Sequence, residues 1–193
     1  MKIFISVLIL ILSFQSLSKG DDIRDFEIEG MSIGDSALDY FTDSEINSYG
    51  KVYYKDKKYF EITLKTDDSI YDSISLTFNS NDKKYIMEQV FGTLIFKNFE
   101  ACKKRKNDMV QELDEMFTSA EKVDAGLRDY AADPSGNSKT DSVYYWINGA
   151  FIELSCYNVE SVFAKKKNWY ENSLNLGIVS KSFSDFLINE QYK

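Results

Sequence analysis

The chain has 193 residues and a formal net charge of −8 at pH 7, a balance that disfavours nucleic acid or any other polyanion as a partner. It contains no histidine, which excludes Ser-His-Asp and Cys-His nucleophiles, histidine-based zinc sites and an imidazole general base. Only two cysteines are present, too few for a dense disulfide framework and enough for one bridge.

The amino terminus, MKIFISVLILILSFQSLSKG, carries one positive charge at Lys2, an apolar run from Ile3 to Phe14 and then small residues at Ser16 and Ser18. This pattern predicts a signal peptide over residues 1–18, cut between Ser18 and Lys19, with a cut after Gly20 as the alternative. The apolar run is shorter than the roughly 20 residues a bilayer span needs, so an uncleaved anchor is the lesser reading. No cysteine lies near the cut to carry a lipid. The expectation is an exported protein, periplasmic or secreted, with residues 19–193 as one domain that does not span a membrane. Abundant Lys, Asn, Ile, Tyr and Phe imply AT-rich codons, and no Asn-x-Ser/Thr acceptor occurs, which favours a bacterial source.

Two short helices are expected next. Ser32 and Asp35 form one S-x-x-D pair, and Thr42 with Glu45 forms a T-x-x-E capping box before Ile46, with Gly50 as the stop. Residues 51–65 then read as a hairpin about Asp56-Lys57. Further alternating runs follow at Ile74-Leu76-Phe78 and through YIMEQVFGTLIF, where Gly92 marks a bulge or a close backbone approach. From Asn98 to Phe117 the period changes. Phe99, Cys102, Lys106, Met109, Val110, Leu113, Met116 and Phe117 recur on one helical face, all apolar but Lys106, with Asn98 as N-cap and Glu100 one turn before Lys104.

Residues 118–142 read as a frayed helix followed by a mobile Asp133-Pro-Ser-Gly-Asn loop. Beyond it, Asn148-Gly149 between two alternating runs predicts a two-residue type I′ hairpin. That turn sets Ile147 opposite Ala150, Tyr145 opposite Ile152 and Val143 opposite Leu154. Cys156 continues the apolar face, and Tyr144, Trp146, Phe151 and Tyr157 share the other. KKKNWY reads as an exposed basic-aromatic turn, Ser173 to Val179 as a strand, and the end as a short helix around Phe183, Phe186 and Leu187.

The segment FEIEGMSIGDSALDYF, the helix with Cys102, the Asp133–Ser138 loop and the strand with Cys156 resemble a group of small uncharacterised exported proteins from low-GC marine bacteria. Its first dozen residues also resemble the start of small envelope modules of the BamE type. The resemblance implies export and a shared scaffold and supplies no catalytic residues.

The expected fold is α+β: a mostly antiparallel meander of six or seven strands, one long amphipathic helix packed across a face, and short N- and C-terminal helices. Cys102 and Cys156 are expected to form a disulfide between helix and hairpin, against the alternative of two buried free thiols. No catalytic residue, cofactor or metal is assigned. Ser48–Lys51 and Ser119–Lys122 match Ser-x-x-Lys but lack the accompanying signatures of penicillin-binding enzymes. Asp67, Asp68 and Asp72, or Asp133 with Ser135, Asn137 and Asp141, offer oxygens to calcium without the EF-hand pattern. Lys103–Lys106 and Lys165–Lys167 with Trp169 and Tyr170 are short basic clusters.

Tyr144, Trp146, Phe151 and Tyr157 form a candidate binding patch if that sheet face is open, and ordinary core if a helix from 33–48 or 180–190 covers it. The functional expectation is a non-enzymatic binding or envelope-interaction module with a protein or envelope partner. The alternative is a small hydrolase with paired carboxylates acting on an envelope or extracellular polymer. A flat aromatic face favours the first, and a cleft with two facing carboxylates of raised pKa the second.

Overall fold

The computed structural model describes residues 22–65 and 69–191, so the expected signal segment and the Asp67–Asp68 pair lie outside the described residues. The described chain is α+β. Its strands are β1 (Val52–Tyr53), β2 (Tyr59–Lys65), β3 (Ser73–Asn79), β4 (Met87–Ile95), β5 (Glu121–Asp129), β6 (Lys139–Ile147), β7 (Ala150–Asn158) and β8 (Asn172–Val179). They form one open antiparallel sheet in the order β1-β2-β3-β4-β8-β7-β6-β5. The helices are α1 (Asp43–Ser48), α2 (Phe99–Met116), α3 (Ser161–Lys167) and α4 (Lys181–Phe186), the last running into a π turn at Leu187–Gln191.

A single meander of six or seven strands is therefore corrected. Two four-stranded meanders, β1–β4 and β5–β8, meet where β4 pairs with β8, and α2 carries the chain from the middle of the sheet to its far edge. The stretch read as frayed helix and mobile loop contains β5 and the start of β6. As an edge strand β5 is exposed along most of its length, and a bulge between Asp124 and Gly126 interrupts its pairing, so it lacks the alternation that betrays a half-buried strand. KKK is likewise not a turn but the last turn of α3, where lysines meet the negative end of the helix and Asn168 closes it in the left-handed region.

One sheet face carries the main core. Phe60, Ile62 and Leu64 of β2 are buried there with Leu76 and Phe78 of β3, Ile152 and Leu154 of β7, and Leu176 and Ile178 of β8. Cover comes from α2 and from the N-terminal segment through Ile28, Met31, Ala37 and Ile46. Local signals set the latter: Ser36 caps a 3₁₀ turn at Ala37–Asp39, and Thr42 and Glu45 close a reciprocal capping box on α1. Asp35 accepts from the Ser32 amide at 3.0 Å but fixes the turn before these helices. Gly92 is a close approach, since the Tyr71 ring lies where a Cβ would stand.

Asn98 starts α2 by accepting from the Ala101 amide at 2.9 Å, and Glu100 pairs with Lys103 rather than Lys104. Cys102, Lys106, Met109 and Leu113 are its buried residues. Cys102 is bonded to Cys156 of β7, with the Cα atoms 5.9 Å apart. One turn on, Lys106 pairs with Asp141 of β6 at 2.5 Å, the two side chains only 5% and 14% exposed. The last turns are held by Asp114, which accepts from the Tyr145 hydroxyl at 2.8 Å and pairs with Lys122 of β5 at 2.7 Å.

Replacing both Cys102 and Cys156 with alanine opens a loop of sequence separation 54, and the chain-entropy account expects a loss of about 4 kcal/mol in urea unfolding. Lys106→Ala strands Asp141 without its cation and is expected to cost about 3–5 kcal/mol. Lys106→Met combined with Asp141→Asn, which removes both charges, should recover most of that loss in the same measurement.

Candidate functional site

The outer face of the sheet is built from the alternate residues of the same strands, and most of them are polar. Glu61 of β2, Ser75 of β3, Gln89, Phe91 and Thr93 of β4, Asn175 of β8, and Phe151, Glu153 and Tyr157 of β7 line one groove of about 400 Å³. At one end stand Tyr54, Val179 and Leu187, beside a small cluster in which Phe183 and Phe186 of α4 pack on Tyr59 and Phe151. At the other end are Tyr130 and Trp169. There the groove continues into a recess of about 250 Å³ lined by Tyr130, Tyr157, Trp169 and Tyr170, with Thr93 and Asn175 common to both.

The hairpin register holds as expected: Ile147 faces Ala150, Tyr145 faces Ile152 and Val143 faces Leu154. Asn148 and Gly149 both have positive φ, as a type I′ turn requires. Tyr144, Trp146, Phe151 and Tyr157 accordingly share the outer face, but they do not make one flat patch. Phe151 is only 8% exposed beside α4, with the Trp146 ring 4.7 Å and the Tyr144 ring 5.9 Å away. Tyr157 lies apart, edge-on to Tyr130 at 5.2 Å, and Tyr130 in turn meets Trp169 at 6.0 Å. Of the four, Phe151 and Tyr157 line the groove.

Two carboxylates lie on the groove floor, and the sequence reading passed over both. Glu153 sits between the two aromatic groups, opposite Tyr144. A chain of hydroxyls runs to it: Thr140 Oγ1 to Ser142 Oγ at 3.1 Å, Ser142 Oγ to Ser155 Oγ at 2.7 Å, and Ser155 Oγ to Glu153 Oε1 at 2.6 Å. Ser155 has one hydroxyl proton, so when it donates to Glu153 it accepts from Ser142, and the chain ends on the Glu153 carboxyl oxygen. The Tyr157 hydroxyl donates to the same Oε1 at 3.2 Å. Glu61 accepts from the Tyr54 hydroxyl at 3.1 Å.

Both side chains are partly buried at the groove floor. Burial pushes their pKa values above the usual glutamate range, and the hydroxyl donors only partly offset it. The Tyr157 hydroxyl is pushed well above its ordinary value, by burial first and by the adjacent Glu153 charge next, so it stays a neutral donor. Among the described residues neither glutamate has an ion-pair partner. Asn175 Oδ1, on the same floor, is buried without a hydrogen-bond partner among the described residues.

The other sequence candidates are engaged elsewhere. Asp133 accepts from the amides and hydroxyls of Ser135 and Ser138, which closes its own turn and lowers its pKa, and Asp141 is taken by Lys106. Asp72 accepts from the Ile95 amide at 2.7 Å. Among the described residues no group of three or more acidic or cysteine side chains is placed to hold a metal. Ser48 donates to the Glu45 carbonyl while Lys51 donates to Asn47, and Lys122 is paired with Asp114, so neither Ser-x-x-Lys match forms a serine–lysine dyad. Among the described residues no helix is long and apolar enough to cross a membrane.

The raised carboxyl pKa values have a consequence with a defined sign. A glutamate whose folded pKa lies above its unfolded one favours the fold at low pH, and that contribution is lost as pH rises through the folded pKa. Glu61→Gln and Glu153→Gln are therefore expected to raise the Tm at pH 7. The gain should shrink as pH falls into and below the glutamate range, and calorimetry across that pH series checks it.

No protein-family model, no curated protein and no solved structure matches the chain.

Proposed function

We propose that this chain is an exported, non-enzymatic binding module that takes a small polar ligand, free or carried on an envelope partner, into the groove on the outer sheet face. The observation that carries this reading is a pair of carboxylates without counter-ions among the described residues, in one groove with aromatic rings and amides. A partly buried charge with no partner destabilises the fold that holds it, and a ligand that pairs with it removes that cost. Export is supported by the apolar segment after Lys2 and by a disulfide of the kind that persists in oxidising compartments. The likeness to small exported bacterial proteins agrees with it. On the opposite face α2, with its apolar stripe on the core, serves as the brace.

The hydrolase alternative draws on the same two carboxylates. Their strands, however, are four steps apart across the sheet, from β2 through β3, β4 and β8 to β7. At the usual strand spacing that is about 19 Å between their backbones. Glycoside hydrolysis needs the two carboxyl groups ~5–10 Å apart, on either side of one bond. Two widely spaced anchors suit a ligand that spans the groove better than a bond broken between them.

Amide chemical-shift mapping of the labelled protein against a panel of amino acids, alkylamines and neutral oligosaccharides tests the reading. At least one probe is expected to shift amides of β4, β7 and β8 around Phe91, Glu153 and Asn175, and to change the fluorescence of Trp169. A panel that leaves those amides unmoved, or moves only residues on the α2 face, would overturn it.

A further inference from the structure

The groove's chemistry narrows the ligand class, in an argument that rests on the binding reading above. Among the described residues no lysine or arginine lines the groove or its aromatic recess. Arg128 reaches Tyr144 electrostatically from the sheet edge, but its side chain is held by the Ala125 carbonyl at 2.8 Å and it lines neither cavity. A carboxylate or phosphate ligand would therefore meet two glutamates and no cation. A neutral sugar would leave both glutamates uncompensated, and a single amine would satisfy only one.

The spacing adds a second constraint. Between Glu61 and Glu153 the floor is not uniformly polar: Phe91 lies across the seam, its ring against Gly177, where an added Cβ would stand 2.1 Å from it. Anion, apolar ring, anion is the complement of cation, methylene chain, cation. The recess next to the groove extends the series, because Tyr130, Tyr157 and Trp169 line it, and aromatic rings attract an ammonium electrostatically.

We propose that the groove binds a linear alkyl polyamine, with one ammonium on Glu61, another on Glu153 and the methylene chain between them over Phe91. Ammonium groups donate to the carboxylate oxygens and need no bond to form or break. Glu153 is suited to this because both of its protein donors land on Oε1, which leaves Oε2 for the ligand.

Calorimetric titration with butylamine, putrescine, spermidine, spermine and neutral 1,8-octanediol tests the inference. It is run at physiological ionic strength, where attraction between exposed charges is screened beyond about 8 Å. Spermidine is expected to bind at least roughly tenfold more tightly than butylamine, and octanediol not to bind. Glu61→Gln and Glu153→Gln should each weaken spermidine by roughly tenfold, as expected for losing one charge-assisted contact. Glu115→Gln, an exposed acid on α2, should change nothing. The inference is overturned if spermidine binds no better than butylamine, or if Glu115→Gln costs as much as the groove variants, which would mean general attraction to an acidic chain. The probe series on the unaltered protein decides this even if a variant fails to fold. Groove amides that shift with oligosaccharides or amino acids but not with polyamines would remove the ligand class and keep the binding site, whereas no shift with any probe would remove both.

Discussion

The pairing of β4 with β8 is the constraint on which the rest of this molecule depends. Each four-stranded meander alone has a free inner edge and half a core, and only their union makes one sheet with Leu76 and Val90 continuous with Ile178 and Ile152. The groove straddles the same seam. Glu61 belongs to the first meander and Glu153 to the second, while Phe91 and Gly177 are seam partners between them. The site is therefore a property of the joined sheet and of neither half.

The two faces divide the physical roles. The α2 face holds nearly all of the apolar burial, the disulfide and the paired Lys106–Asp141 charge. On the groove face the interactions among the described residues run against stability: two glutamates without cations, a buried amide oxygen without a donor, and a glycine whose missing side chain makes room for Phe91. A well-braced opposite face is what allows such a face to persist, because its order is supplied from behind the sheet. Crossing from one meander to the other, α2 is fastened at both ends, by Cys156 near its start and by Asp114 near its finish.

How much of this was legible in the sequence follows from which interactions are local. The Asn148-Gly149 turn fixes its hairpin within a few residues, so register and the face of Cys156 could be read directly. The capping box at Thr42 and the cap at Asn98 were readable for the same reason. β5 was not, because an exposed edge strand with a bulge lacks burial periodicity. The position of β8 next to β4 was not either, since nothing short-range encodes a pairing between Gln89 and Val179. The groove was hidden by abundance: with 31 acidic residues, no single glutamate stands out. A signal for Glu153 did exist. Register places it among the aromatic residues of the outer face, and an acid in that company is unusual enough to mark. Glu61 had no comparable cue, because its neighbour Tyr54 is brought to it by a turn.

The place of β8 in the chain also sets the order in which the molecule can be assembled. It is the last of the described strands and among the innermost in the sheet, so until it docks both meanders present a long unpaired edge, β4 on one side and β7 on the other. The finished sheet's outer edges are guarded, β1 by having only two residues and β5 by its charges and bulge. The inner edges have no such guard and carry Val90 and Ile152. Pairing across so many intervening residues is slow to nucleate. A chain that emerges amino terminus first must therefore hold two adhesive strand edges apart until β8 arrives, and aggregation in that interval is the hazard this topology carries.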